Sequence, residues 1–240
     1  ISTAQIPKFE GLDGYKGETY HTGNWPHETV SFKGKRVAVI GTGSSGIQAI
    51  PVIADEAKTL TVFQRQANFS IPARNMPMTE EYARFWKDDY PEKRAEMRYM
   101  PNGVIREVND KSALEVSDEE RQATYEMRWE QGTGAFLGAF NDILTNKAAN
   151  DTMAEFVRGK IRATVKDPAT AEILCPYTHP IGTKRICIDS GYYQTYNREH
   201  VELIDISEAG IGRLTETGLE ANGRSFEFDA IVFALSLIHI

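Results

Sequence analysis

The chain has 240 residues, 41% hydrophobic and 25% charged, a composition that suits one or two globular domains and excludes fibrous, disordered and disulfide-framework classes. Its 27 Lys and Arg stand against 34 Asp and Glu, so the net charge is −7, which argues against a protein that grips a nucleic-acid backbone. The two cysteines, Cys175 and Cys187, lack CxxC spacing and are expected to stay reduced in a cytoplasmic compartment.

Residues 1–34 carry Gly, Pro and aromatic residues with little periodicity and read as an extended linker arriving at a domain. The β-branched run RVAVI at residues 36–40 predicts a strand buried on both faces, followed by GTGSSG at 41–46 and a helix over 47–57. Pro51 is expected in the first turn of that helix. TLTVFQ at 59–64 predicts a second strand. The periodicity then turns helical for a long stretch. Ser117 with Glu120 forms a capping box, residues 150–165 form an amphipathic helix, and Asp167-Pro168 opens a short one. Strand character returns at 201–206, an antiparallel meander with an Asn222-Gly223 turn covers 213–228, and a core strand covers 230–234. The final apolar run, from Ala230, is too short to span a membrane, and no targeting peptide is visible. The chain starts without Met and stops inside an apolar run, so both ends look cut and a piece of a larger enzyme is expected.

The expected fold is α/β: a Rossmann-like domain, three-layered with a mostly parallel sheet, a large helical insertion and a small β-meander. Its divisions are a linker at 1–34, the first part of the nucleotide domain at 35–75, the insertion at 76–180, the return at 181–234 and a tail at 235–240.

Gly41, Gly43 and Gly46 follow a buried strand and open a helix, the context a GxGxxG motif needs. Gly41 allows the tight turn, Gly43 lets backbone approach a pyrophosphate, and Gly46 permits close helix–strand packing. Ser44 and Ser45 can add hydroxyl donors. The bland alternative is a ligand-free Gly-rich turn. At the end of the second strand, Phe63-Gln64-Arg65-Gln66 offers a guanidinium and no carboxylate, which favours NADP(H) over NAD(H), against a solvated surface Arg. His21, within Tyr15 to Pro26, has no second ligand at metal spacing and reads as a structural histidine; the other histidines form no ligand set either. Taken alone, Lys184-Arg185 reads as a solvated basic pair.

The pattern aromatic-x-Gly-x-x-x-His-x-x-x-Trp-Pro from Tyr15 to Pro26, followed by a strand and GTGSSG, resembles the fingerprint of type I Baeyer-Villiger monooxygenases, with Tyr15 where the family usually has Phe. The likeness continues through Val62-Phe63-Gln64-Arg65, Ile71-Pro72-Ala73-Arg74-Asn75, Lys184-Arg185, Asp189-Ser190-Gly191-Tyr192-Tyr193 and Tyr196-Asn197-Arg198, and is nearest the cyclohexanone monooxygenase branch. The resemblance implies a flavoenzyme that uses FAD, NADPH and O2 to insert oxygen beside a ketone carbonyl, with neither nucleic acid nor membrane as a partner. It implies that this chain is the NADP domain, the FAD domain of the same polypeptide being largely missing.

By the same resemblance, Gly41, Thr42, Gly43, Ser44, Ser45, Gly46 and Gln48 hold the NADP pyrophosphate. Arg65 and Lys184 then approach the 2′-phosphate, Gln66 belongs to the same cofactor-binding set, Arg185 is the active-site arginine, and His21 couples linker movement to catalysis without being a general base. A permanently charged guanidinium with several donors also suits the stabilisation of an anionic oxygen. The family continues Phe233-Ala234 into a Thr-Gly turn, whereas Leu235-Ser236 follows here, so residues 235–240 are expected to be non-native. Three alternatives stand beside this reading: a flavin-containing N- or S-oxygenase, a nucleotide-binding module without turnover, and a simple dehydrogenase. The last lacks a Tyr-x-x-x-Lys or His-centred acid/base set. A hydrolase would need a GxSxG elbow, which is missing.

Overall fold

The computed structural model describes residues 2–4, 8–100, 103–105, 107–235 and 237–239. In chain order the elements are β1 (Ser2–Ala4), β2 (Glu18–His21), β3 (Arg36–Ile40), α1 (Ser44–Glu56), β4 (Thr59–Gln64), β5 (Ser70–Pro72), α2 (Glu80–Lys87), α3 (Tyr90–Met97) and α4 (Asp118–Gln131). They continue with α5 (Lys147–Thr164), α6 (Pro168–Leu174), β6 (Cys187–Asp189), α7 (Tyr192–Thr195), β7 (Val201–Asp205), β8 (Ile211–Thr215), β9 (Gly218–Ala221), β10 (Arg224–Glu227), β11 (Ala230–Phe233) and β12 (Leu237–His239). The chain divides into two compact units, residues 1–71 with 154–240 and residues 72–153.

The first unit is built on a five-stranded parallel sheet in the order β2-β11-β3-β4-β7. Because β3 has neighbours on both edges and cover on both faces, Val37 to Ile40 are all buried. On one face, α1 buries Ile47, Ile50 and Ile53 and packs on β3 and β4. On the other, Ala38, Ile40, Phe63, Ile231 and Phe233 form a core with Leu214, Leu219, Ala221 and Phe228 of the meander β8-β9-β10. Each fully buried Ile, Leu or Phe contributes about 1.5–3 kcal/mol. The β9–β10 turn places Asn222 at φ 51° and Gly223 at φ 71°, the left-handed pair a two-residue hairpin requires. The α/β class, mostly parallel sheet, helical segment and meander all match the expectation.

Two local differences are instructive. Residues 1–34 are not linker throughout, since β2 joins the sheet beside β11 as its outer strand. ETYH buries only its last residue, so an edge strand of this kind shows no apolar run. Helix α1 starts at Ser44, which places Pro51 in its interior and deprives the Ile47 carbonyl of its i+4 donor. Of the expected tail, Leu237–His239 pair antiparallel with β1, while Ser236 and Ile240 lie outside the described residues.

The second unit is helical. Ser117 accepts from the Glu120 amide at 3.2 Å to cap α4, as the capping box predicts. Its core gathers Tyr125, Trp129, Phe136, Phe140 and Ile143, with Tyr125 and Phe140 edge to face at 5.5 Å. Helices α2 and α3 bury no residue. The second half of α5 and all of α6 group with the sheet unit, where Gln64 Nε2 donates to the Ile173 carbonyl at 2.7 Å.

Candidate nucleotide-binding site

In a parallel sheet the strand ends reached by βα turns form a crevice where the connections diverge. Here β3 leads through α1 to β4 on one side, while β11 lies on the other, so that crevice opens at the turn after β3. The turn is held from three directions. Gly41 N–H donates to the Phe63 carbonyl at 3.0 Å, Ala234 N–H to the Ile40 carbonyl at 2.9 Å, and Asn68 Nδ2 to the Thr42 carbonyl at 2.8 Å. Thr42 Oγ1 in turn donates to the Gln66 carbonyl at 3.2 Å.

The glycines divide by what surrounds them. Gly41 has φ 106°, and a Cβ on Gly46 would lie 2.3 Å from the Gly41 carbonyl oxygen, so both are dictated by the fold. A Cβ on Gly43 would meet nothing within 4 Å, which leaves an open approach to the backbone. Gly43 is also the N-cap of α1, has no side chain to cap with, and is followed by a first turn without acidic residues. The first backbone bond of α1 is from Ile47 N–H to the Gly43 carbonyl at 2.9 Å, so the amides before it have no partner within the helix. A thirteen-residue helix thus leaves the amides of its first turn uncapped at its positive end, an arrangement suited chemically to an anion.

Ser45 and Gln48 are exposed on the first turns of α1. Ser44 is exposed too, and its Oγ lies 3.4 Å from Cys187 Sγ. Burial pushes the Cys187 thiol up, so it stays protonated beneath the loop. Asp189 Oδ1 accepts from the Gly191 and Tyr192 amides at 2.7 and 2.5 Å and so caps α7, while burial raises its carboxyl.

Arg65 follows β4 and is exposed. Its neighbour Gln66 accepts through Oε1 from the Lys184 ammonium, so the structure brings residues far apart in sequence to one strand end. Gln66 Nε2 donates to Thr178 Oγ1. Arg185 is exposed, one residue beyond Lys184. Among the described residues no carboxylate pairs with Arg65, Lys184 or Arg185, so three cations are left for an anion from outside.

His21 ends β2 opposite Phe233 and is buried. Its Nδ1 accepts from Gly23 N–H at 2.9 Å, which puts the proton of the neutral ring on Nε2. Nε2 is buried and has no hydrogen-bond partner among the described residues. Sequence reasoning missed Asn68 and Thr178. Neither belongs to a motif, and only the fold brings them to the turn and to Gln66.

No family model matches the chain. It is similar to cyclohexanone 1,2-monooxygenase of an Acinetobacter species, 41% identical over 240 residues that cover 98% of this chain and 43% of that protein. It is similar to a phenazine N-monooxygenase of Lysobacter antibioticus, 40% identical over 237 residues, 98% of this chain and 43% of the relative. Among solved structures, an oxidised steroid monooxygenase bound to NADP superposes with a TM-score of 0.93 at 50% identity, over 99% of this chain and 46% of that one. The chain spans less than half the length of the relatives it matches.

Proposed function

We propose that, over the length that aligns with its relatives, the chain belongs with the Baeyer-Villiger monooxygenases and forms the NADPH-holding part of an NADPH- and FAD-dependent monooxygenase that inserts one atom of O2 beside a ketone carbonyl, giving an ester or lactone. The observation that carries this reading is the uncapped amino end of α1 at Gly43, in a turn that Thr42 ties to the Gln66 carbonyl, with Arg65 next to Gln66 in the chain and the Lys184 ammonium bonded to the Gln66 amide.

The residues fit a dinucleotide phosphate chemically. The amides and hydroxyls of Gly43, Ser44, Ser45 and Gly46 would take the pyrophosphate, with Thr42 holding the loop and Gln48 on the next turn. Arg65, Gln66 and Lys184 would take the 2′-phosphate, the Arg as a fork and the Lys as a point charge. When bound, NADPH supplies hydride, and FAD, held by parts of the polypeptide outside this chain, accepts it and activates O2. Arg185 then keeps a fixed positive charge where negative charge develops on oxygen, and needs no proton transfer to do so. His21, buried with its Nδ1 already engaged, is suited to fixing the incoming segment and unsuited to moving protons. We place the whole in the cytoplasm, in keeping with two reduced cysteines; among the described residues no helix is long and apolar enough to cross a membrane.

A second reading, in which the oxidised atom is nitrogen or sulfur, is favoured by one finding: the phenazine N-monooxygenase matches nearly as well as the ketone enzyme. The deciding experiment is product analysis of the complete polypeptide with NADPH, O2 and paired cyclic ketone, tertiary amine and thioether substrates. Lactone formation from the ketone supports the proposal. N- or S-oxide with no ester or lactone overturns it in favour of the second reading.

A further inference from the structure

Lys184 does not reach the end of β4 unaided. Its ammonium donates to Gln66 Oε1, and the same amide donates through Nε2 to Thr178 Oγ1. Thr178 Oγ1 lies 3.2 Å from His179 Nδ1. The direction of this chain is decided at its two ends. An ammonium has only donors, so it must face the amide oxygen. The amide NH2 must then find an acceptor, which is the Thr178 oxygen. The Thr178 hydroxyl then donates to His179 Nδ1 in the neutral tautomer that carries its proton on Nε2. Burial, with Lys184 nearby, holds His179 below its ordinary value and so favours that neutral ring. The ring is seated edge to face on Phe69 at 5.5 Å.

We propose that Thr178 is a positioning residue for nucleotide selectivity: by fixing which way the Gln66 amide points, it holds the Lys184 ammonium in place for a 2′-phosphate. The proposal rests on the reading of Arg65 and Lys184 given above. Without the Thr178 hydroxyl the Gln66 amide is free to turn, and an amide turned with its NH2 toward Lys184 presents donor to donor. Lys184 then regains its rotamers in the free protein and must lose them again when the phosphate binds. No carboxylate among the described residues competes for this ammonium, so its position depends on the amide alone.

The test is calorimetric titration of the complete polypeptide with adenosine 2′,5′-bisphosphate and with 5′-AMP, for the wild type and for Thr178→Val, Thr178→Ser, Lys184→Ala and Thr178→Val/Lys184→Ala. Thr178 is exposed, so Val is accommodated, and Thr178→Ala repeats the test with a smaller side chain. The expected result is a roughly two- to tenfold weaker affinity of Thr178→Val for the bisphosphate, the range of one neutral hydrogen bond, with 5′-AMP unchanged. Serine should restore it, and Thr178→Val should add nothing once Lys184 is gone. Equal weakening of both nucleotides, or wild-type affinity in Thr178→Val while Lys184→Ala loses the bisphosphate, overturns the proposal and leaves the 2′-phosphate reading standing. An unchanged bisphosphate preference in Lys184→Ala and in Arg65→Ala overturns that reading and the proposal with it.

Discussion

Arg36 and Asp229 hold each other through side chain and backbone at once. The guanidinium donates to both carboxylate oxygens, from Nε at 3.2 Å and from a terminal nitrogen at 2.9 Å. The Arg36 amide donates to Asp229 Oδ2 at 2.8 Å, and the Asp229 amide returns a bond to the Arg36 carbonyl at 2.9 Å. This clamp sets the register of β11 on β3 at the amino ends of the two strands, opposite the glycine turn, and so the height at which Ala234 meets Gly41.

Removing the carboxylate in Asp229→Ala should destabilise the fold by roughly 1–2 kcal/mol, below the full value of charged hydrogen bonds because the pair is partly exposed. The Arg36 guanidinium holds the Asp229 carboxyl below its ordinary value. A carboxyl lowered in the folded state stabilises above its unfolded pKa and loses that contribution as pH falls through the folded one. The difference in denaturation midpoint between wild type and Asp229→Ala should therefore be constant above about pH 5 and shrink below about pH 4. Urea titrations across that range measure it, and a pH-independent difference would show that the carboxylate charge plays no part.

Gly43→Ala and Gly46→Ala should part company. The first places its methyl in open space and should change stability by no more than about 1 kcal/mol, the cost of Ala at an N-cap, while weakening NADPH binding. The second drives a methyl to 2.3 Å from the Gly41 oxygen and should cost about 1–3 kcal/mol or more. Thermal melts and nucleotide titration of both variants separate ligand approach from packing.

Arg65→Ala should weaken NADPH by roughly ten- to hundredfold, the range of a hydrogen bond to a charged group, and leave NADH nearly as it was. The measurement is the ratio of the two affinities, and equal losses would return Arg65 to a surface role.

Asp189 supplies one oxygen to two amides from a site where its charge is costly. Asp189→Asn keeps that oxygen and should be at least as stable as wild type at pH 7. Asp189→Ala leaves two amides without their acceptor and should lose about 1–3 kcal/mol. A carboxyl raised in the folded state costs stability as pH climbs from its unfolded value through its folded one, so wild type should lose ground to Asp189→Asn as pH rises above about 4.

Arg185→Ala in the complete polypeptide should reduce ester or lactone yield by several orders of magnitude, since a fixed cation opposite a developing oxyanion contributes several kcal/mol, with FAD content and NADPH affinity little changed. Product per NADPH consumed, by chromatography, is the readout; wild-type yield would return Arg185 to a basic surface residue.

The parts legible in the sequence are those whose cause is local. RVAVI followed by GTGSSG specifies a buried strand and the turn after it because Gly41 needs a positive φ and Gly46 has no room for a Cβ. Ser117, Asp167 and Asn222-Gly223 each act within three residues of themselves, and each does what its residue type predicts. The tertiary structure alone decided the rest. Glu18 to His21 became a sheet strand because β11 offered an unpaired edge, which no pattern in ETYH announces. Lys184, 118 positions from Gln66, reached the end of β4 because the chain rejoins the sheet unit from residue 154 on, and Thr178 settled beside the same amide by the same return. Hydrogen bonds between distant side chains are chosen by where the backbone has already been carried, and that is settled by packing across the whole sheet.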